Sequence, residues 1–76
     1  MTKPVAAVVL YTSKNCGLCD QAKDALERLG VVYREVLVPD DHPYRLRTPV
    51  IEASDEVVAE GNIDGAALRR AFPRVR

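Results

Sequence analysis

The chain carries two cysteines, Cys16 and Cys19, with Gly17 and Leu18 between them. A C-x-x-C pair admits three chemistries: a dithiol that trades electrons with disulfides, half of a metal site, or two core thiols that are neighbours by accident. A structural zinc site takes four protein ligands. There is no second cysteine pair here and His42 is the lone histidine, so an intrachain zinc site is poorly supplied. A bridge between residues this close constrains the unfolded chain very little. The value of the pair therefore lies in reactivity, and its setting decides which kind.

That setting is legible in the flanking residues. Val5-Ala6-Ala7-Val8-Val9-Leu10-Tyr11 is apolar on both alternating faces, the pattern of a strand covered on both sides and central in a partly parallel sheet. Thr12-Ser13-Lys14-Asn15 is polar and ends it. Leu18, Ala22, Ala25, Leu26 and Leu29 then recur at helical spacing, with Asp20, Lys23, Asp24, Glu27 and Arg28 on the other face. Lys23–Glu27 and Asp24–Arg28 are opposite charges four apart, each worth ~0.3 kcal/mol, and Gly30 suits the C-cap. Val31 to Val38 is rich in β-branched residues and predicts a second strand, parallel to the first across a right-handed connection.

The segment from Pro39 to Thr48 has room for one helical turn, with Asp41 or His42 near its cap and Pro43 at its first position. After Pro49, Val50 to Ala53 and Val57 to Glu60 flank Ser54-Asp55-Glu56, the turn of an antiparallel hairpin. Asp64 caps a short helix running to Phe72, with Ala67, Leu68, Ala71 and Phe72 as its buried side, and Pro73 to Arg76 fray. The order β, α, β, short crossover, β, β, α predicts one α/β domain over residues 1–76, a four-stranded mixed sheet with flanking helices.

Placed at the start of the first helix, Cys16 meets unpaired backbone N–H groups and the favourable end of the helix dipole. Its thiol is expected to titrate below the free value of ~8.5. Lys14 adds positive charge nearby and Asp20 opposes it. Cys19, three residues on, shares a helix face with Cys16, so the two sulfurs can meet. The exposed Cys16 reads as the attacking thiolate and the deeper Cys19 as the resolving thiol. A C-x-x-C pair between a strand and a helix is a redox signature.

Composition narrows the partners. Eleven basic residues balance eleven acidic ones, so no global field draws the chain to nucleic acid or an anionic membrane. Arg69, Arg70, Arg74 and Arg76 make a local positive tail without interleaved aromatics, as a solvated helix end does. The apolar run from Val5 to Tyr11 is too short to span a bilayer. One lysine precedes it and nothing resembling a cleavage site ends it, so no secretory leader is expected. The cytoplasm, where thiols stay reduced, is the expected compartment.

The stretches LYTSKNCGLCDQAKDALERLGV, then TPV at 48–50, then a hairpin and EGNIDGAAL resemble small glutaredoxin-like proteins of the thioredoxin fold, over nearly the whole chain. The resemblance implies that Cys16 attacks disulfides, often mixed disulfides with glutathione, and that Cys19 resolves them. It also implies a cis peptide bond at Thr48–Pro49, opposite the redox pair, where the Thr48 backbone can meet an extended peptide or glutathione. The family's basic residue before the motif is displaced here, with Ser13 in its place and Lys14 one residue closer to Cys16. Of its two-glycine turn, Gly61 matches the first glycine and Asn62 replaces the second. Ile63 stands where a small polar residue or cysteine is common, Asp64 matches the first acid and Gly65 replaces the second. The crossover is shorter than usual. Thioredoxin itself is a weaker match, with Asn15 in place of an aromatic and Gly17-Leu18 in place of Gly-Pro.

The expectation is a monomeric thiol–disulfide oxidoreductase with no tightly bound cofactor and no metal. Glutathione is a possible co-substrate. Disulfide-containing proteins or glutathione are its substrates, and glutathione or a reductase enzyme is its electron donor. The alternative is a module of the same fold that holds a peptide or an iron–sulfur cluster shared between two chains. Catalysis is assigned to Cys16 and Cys19. Substrate contacts are assigned to Lys14, Gly17, Leu18, Thr48, Pro49, Asp64 and Arg47, with Arg45 as a second possible cation for a carboxylate. Tyr11 lines the groove or simply packs, Tyr33 packs on the sheet, Tyr44 covers the crossover or the rim of the site, and His42 is a loop residue.

Overall fold

The computed structural model describes residues 8–72. Its elements run β1 (Val8–Thr12), α1 (Gly17–Leu29), β2 (Arg34–Leu37), β3 (Val50–Ala53), β4 (Glu56–Glu60) and α2 (Gly65–Ala71). The sheet order is β2-β1-β3-β4. β1 is parallel to β2 and antiparallel to β3, and β3 is antiparallel to β4. This is the mixed four-stranded sheet expected from the element order, with a thioredoxin-like arrangement.

Cross-strand register explains which residues are buried. Leu10 pairs with Ile51 and Val8 with Ala53, so these side chains share one face of the sheet. On that face they form one core with Ala22, Ala25 and Leu26 of α1, Ile63, and Leu68 of α2. Tyr11 pairs with Val50 and Val9 with Glu52, which turns them to the opposite face. There the cover is lighter: β1 alternates between fully buried and half-buried residues. The apolar run was expected to be covered on both sides and central in the sheet, and β1 is an interior strand with no exposed residue. The helices cover one face, and the crossover covers the other with side chains and no helix. His42, Arg45 and Arg47 donate backbone N–H bonds to Pro39, His42 and Tyr44 carbonyls three residues back, a succession of tight turns in place of the expected helical turn.

That short crossover still covers the sheet through side chains. Tyr44 meets Tyr11 edge-on with ring centroids 5.2 Å apart, and His42 lies 5.7 Å from Tyr11. Both tyrosine hydroxyls donate to the Glu52 carboxylate, Tyr44 at 2.6 Å and Tyr11 at 3.2 Å. Burial first, then the Glu52 charge, pushes the Tyr11 phenol above its ordinary value. For Tyr44 the hydrogen bond to Glu52 is the leading cause of the same upward shift.

Boundaries differ from expectation where capping intervenes. α1 ends at Gly30 in the left-handed region, φ 82°. The Gly30 and Val31 N–H groups donate to the Glu27 and Leu26 carbonyls, a Schellman-type close. Val31 is thus used by the helix end, and β2 starts only at Arg34. Lys23 does not pair with Glu27; it lies 3.6 Å from Asp20 and 3.5 Å from Glu35, while Glu27 accepts from the Tyr33 hydroxyl at 3.4 Å. The Asp24–Arg28 pair forms at 2.8 Å. The hairpin turn is Ser54-Asp55, both residues at positive φ, and Glu56 already belongs to β4. The expectations for residues 1–7 and 73–76 lie outside the described residues. No helix of the described residues is long and apolar enough to cross a membrane.

Candidate active site

Cys16 is the N-cap of α1 rather than a residue within it. Asn15 precedes it at φ 55°, a left-handed conformation that asparagine tolerates better than most residues, and this bend delivers the chain from β1 into the helix. The Cys16 carbonyl accepts from the Cys19 and Asp20 N–H groups at 3.2 and 3.4 Å. Its sulfur accepts from the same Cys19 N–H at 3.1 Å. Serine, threonine, aspartate and asparagine are the preferred residues for this capping role; here a sulfur does it.

Cys16 and Cys19 are joined as a disulfide, with Cα atoms 5.2 Å apart. Their exposures differ in the expected sense: Cys19 is 2% exposed and Cys16 is half-buried. Gly17 between them is exposed, and a Cβ built there would meet nothing within 4 Å. Leu18 is 44% exposed, an apolar side chain at the rim of the sulfurs.

The second wall of the site is the segment before β3. The Thr48–Pro49 bond is cis and Pro49 is fully buried. Ser13 and Thr48 hydroxyls lie 2.6 Å apart, which ties the loop leading to Cys16 to the cis-proline segment. In the sequence Ser13 reads as part of the polar strand end and as the replacement of a basic residue; nothing in its neighbours signals this contact. Gly61 takes φ 78° and its N–H donates to the Pro49 carbonyl at 2.9 Å. Positive φ is the reason a glycine stands there. Gln21, unremarked in the sequence as an exposed helix residue, donates to Asn62 Oδ1 at 2.8 Å and to the Ile63 carbonyl at 3.3 Å. It holds the 61–63 turn against α1.

The remaining assigned residues fall into place unevenly. Lys14 is exposed, two residues before Cys16. The Asp64 carboxylate is occupied as the N-cap of α2, accepting from the Ala67 N–H at 2.9 Å. Arg47 is paired with Glu60 and its guanidinium lies 5.1 Å from the Tyr44 ring centre. Arg45 is paired with Asp40 at 3.2 Å. Ile63, considered as a variant of a glutathione-binding position, is fully buried in the core, which accounts for its apolar type. Tyr11 sits on the sheet face away from the helices, bonded to Glu52, and His42 uses Nδ1 to accept from the Tyr44 N–H at 3.0 Å. Among the described residues, no group of three or more His, Cys, Asp or Glu side chains is placed to hold a metal ion.

A cysteine pair at a helix start, its leading loop tied to a cis-proline segment by Ser13 and Thr48, is an arrangement that a family match can test. The glutaredoxin family profile matches residues 8–76. The chain belongs to the glutaredoxin family. Among solved structures, this glutaredoxin is similar to that of a structural genomics target protein from X. campestris, with a TM-score of 0.77 and 29% sequence identity, covering 92% of this chain and all of the other. No curated protein matches it. Membership in the glutaredoxin family, with a C-x-x-C pair in this position, is consistent with thiol–disulfide chemistry.

Proposed function

We propose that this glutaredoxin is a dithiol thiol–disulfide oxidoreductase in which Cys16 attacks and Cys19 resolves. The observation that carries the reading is the pair itself: two sulfurs within bonding distance at the N-cap of α1, the outer one accepting a backbone N–H. In the reduced pair that N–H donates to a Cys16 thiolate. Hydrogen bonding to an anion and the helix dipole both favour the charged form, while burial disfavours it for Cys19.

The Cys16 thiolate attacks one sulfur of a substrate disulfide. A new S–S bond forms as the substrate bond breaks, and the departing thiolate takes up a proton. Cys19 then loses its proton and attacks Cys16 Sγ, expelling the second substrate sulfur as a thiolate. Two electrons have passed from the pair to the substrate, leaving the Cys16–Cys19 disulfide. Glutathione or a reductase returns the two electrons. Disulfide-bearing proteins and glutathione mixed disulfides are the substrates, with Gly17, Leu18, Thr48 and Pro49 as the contact surface and Lys14 as a nearby positive charge. The chain acts as a monomer and without a resident cofactor. Because the pair must be kept reduced to act as a reductant, the cytoplasm suits it.

The test is reduction of insulin and of a glutathionylated peptide by wild type, Cys16→Ser and Cys19→Ser. Cys16→Ser is expected to lose both activities, and Cys19→Ser to accumulate a mixed disulfide on Cys16 visible by mass spectrometry. Equal activity of wild type and Cys16→Ser overturns the reading.

A further inference from the structure

The Arg47–Glu60 pair lies at the junction of the two segments that border the site. Arg47 immediately precedes Thr48 and the cis bond to Pro49. Glu60 ends β4 and immediately precedes Gly61, whose N–H is bonded to the Pro49 carbonyl. The two side chains close across that junction through Arg47 Nη2 and Glu60 Oε1. The Tyr44 ring beneath the guanidinium, at 5.1 Å, holds it on that side. Both side chains remain reachable from solvent, at 48% and 44% exposure.

A guanidinium beside a substrate groove recognises a carboxylate through a two-pronged contact. Here a carboxylate of the protein itself already occupies it. Arg45, the other arginine of the crossover, is paired with Asp40 and does not substitute for it. A substrate carboxylate that reaches Arg47 therefore competes with Glu60 for Nη2 or makes do with the remaining guanidinium donors. A disulfide whose flanking groups are neutral makes no such demand.

On the reading of the site as a thiol–disulfide oxidoreductase, we infer that Glu60 is a specificity-determining residue. It competes for Arg47 with carboxylate-bearing thiols of the glutathione type and so lowers the chain's preference for them relative to uncharged disulfides. The competition is modest because exposed ion pairs are weak, and removing it is expected to change affinity by roughly two- to fivefold.

The experiment measures binding, which needs no electron transfer. S-methylglutathione and its dimethyl ester are titrated by NMR into wild type, Glu60→Gln, Arg47→Gln and the double variant, each checked for an unchanged fold by circular dichroism. Glu60→Gln is expected to bind the free acid about two- to fivefold more tightly than wild type, to bind the ester no better, and to lose its advantage when Arg47 is also replaced. Three results each overturn the inference: no gain for the acid, including no measurable binding to either protein; an equal gain for the ester; or a gain that persists without Arg47. An inactive cysteine pair in the insulin assay is a separate failure, of the oxidoreductase reading, and leaves this titration readable.

Discussion

A carboxylate shared by two phenols is an unusual way to cover half of a sheet, and it makes a pH-dependent signature. Tyr11 and Tyr44 both donate to Glu52 and both titrate above the ordinary tyrosine range. The folded state therefore holds these protons more tightly than the unfolded chain does. Their contribution to stability is complete below pH ~10 and is lost as the pH rises through the raised values. Lys23, raised chiefly by Glu35, acts with the same sign, so a variant is needed to separate them. Phenolate absorbance of wild type should rise later on the alkaline side than that of Glu52→Gln. The fall in urea midpoint between pH 9 and pH 11 should also be smaller in the variant. Identical titrations would mean that the two hydroxyls gain nothing from Glu52 in solution. Nothing in the sequence pointed to Glu52. A glutamate in a strand reads as a solvent-facing residue, and only register places it under two rings that are distant in the chain.

At the scale of elements, what was readable was what is local. The helix from Gly17 to Leu29 follows from its apolar stripe and from Gly30, and the α2 cap from Asp64 alone. The cap yields a direct prediction: Asp64→Ala removes the acceptor for the Ala67 N–H and should destabilise the chain by about 1 kcal/mol in chemical denaturation. Because α2 packs Leu68 into the core, the loss should register in the global transition and not as local fraying. The cysteine spacing and the loop–helix junction were legible for the same reason, since each is a short motif with its own backbone consequence. The cis bond at Thr48–Pro49 came from the family resemblance, because sequence chemistry alone permits a trans proline there. Ser13–Thr48, Gln21–Asn62 and Arg47–Glu60 were not legible. Each joins residues on separate elements, and their pairing depends on how the sheet and helices assemble. The crossover, expected to hold at most about one helical turn, forms turns without a helix for a related reason. Pro43 after Asp41-His42 is a fair helix start in isolation, but the ten residues from Pro39 to Thr48 must also span from β2 past β1 to β3. Tight turns that set the His42 and Tyr44 rings against Tyr11 do that in less chain.

The whole molecule depends on one side of the sheet. Among the described residues, eight buried ones from β1, α1, β3, the 61–64 turn and α2 form the core cluster, and Leu26, fully buried in it, comes from the helix that follows Cys16. Leu26→Ala should cost 2–5 kcal/mol, in the range of large-to-small core changes, as measured by the thermal or urea midpoint. In a chain this short that is a large part of the total, of order 5–15 kcal/mol for a native domain. On the proposed oxidoreductase reading, loss of activity in that variant should therefore track unfolding, whereas loss in Cys16→Ser should occur in a folded protein. The β3–β4 turn lies at the opposite pole. Ser54 and Asp55 close the hairpin beside Val8, whereas β1 reaches the cysteine loop at its other end, after Thr12. Four residue steps of strand separate the two ends, ~14 Å. That tip is a natural attachment point: a fluorophore, an affinity handle or a spliced peptide placed there would ride on the molecule while leaving the sulfur end uncovered.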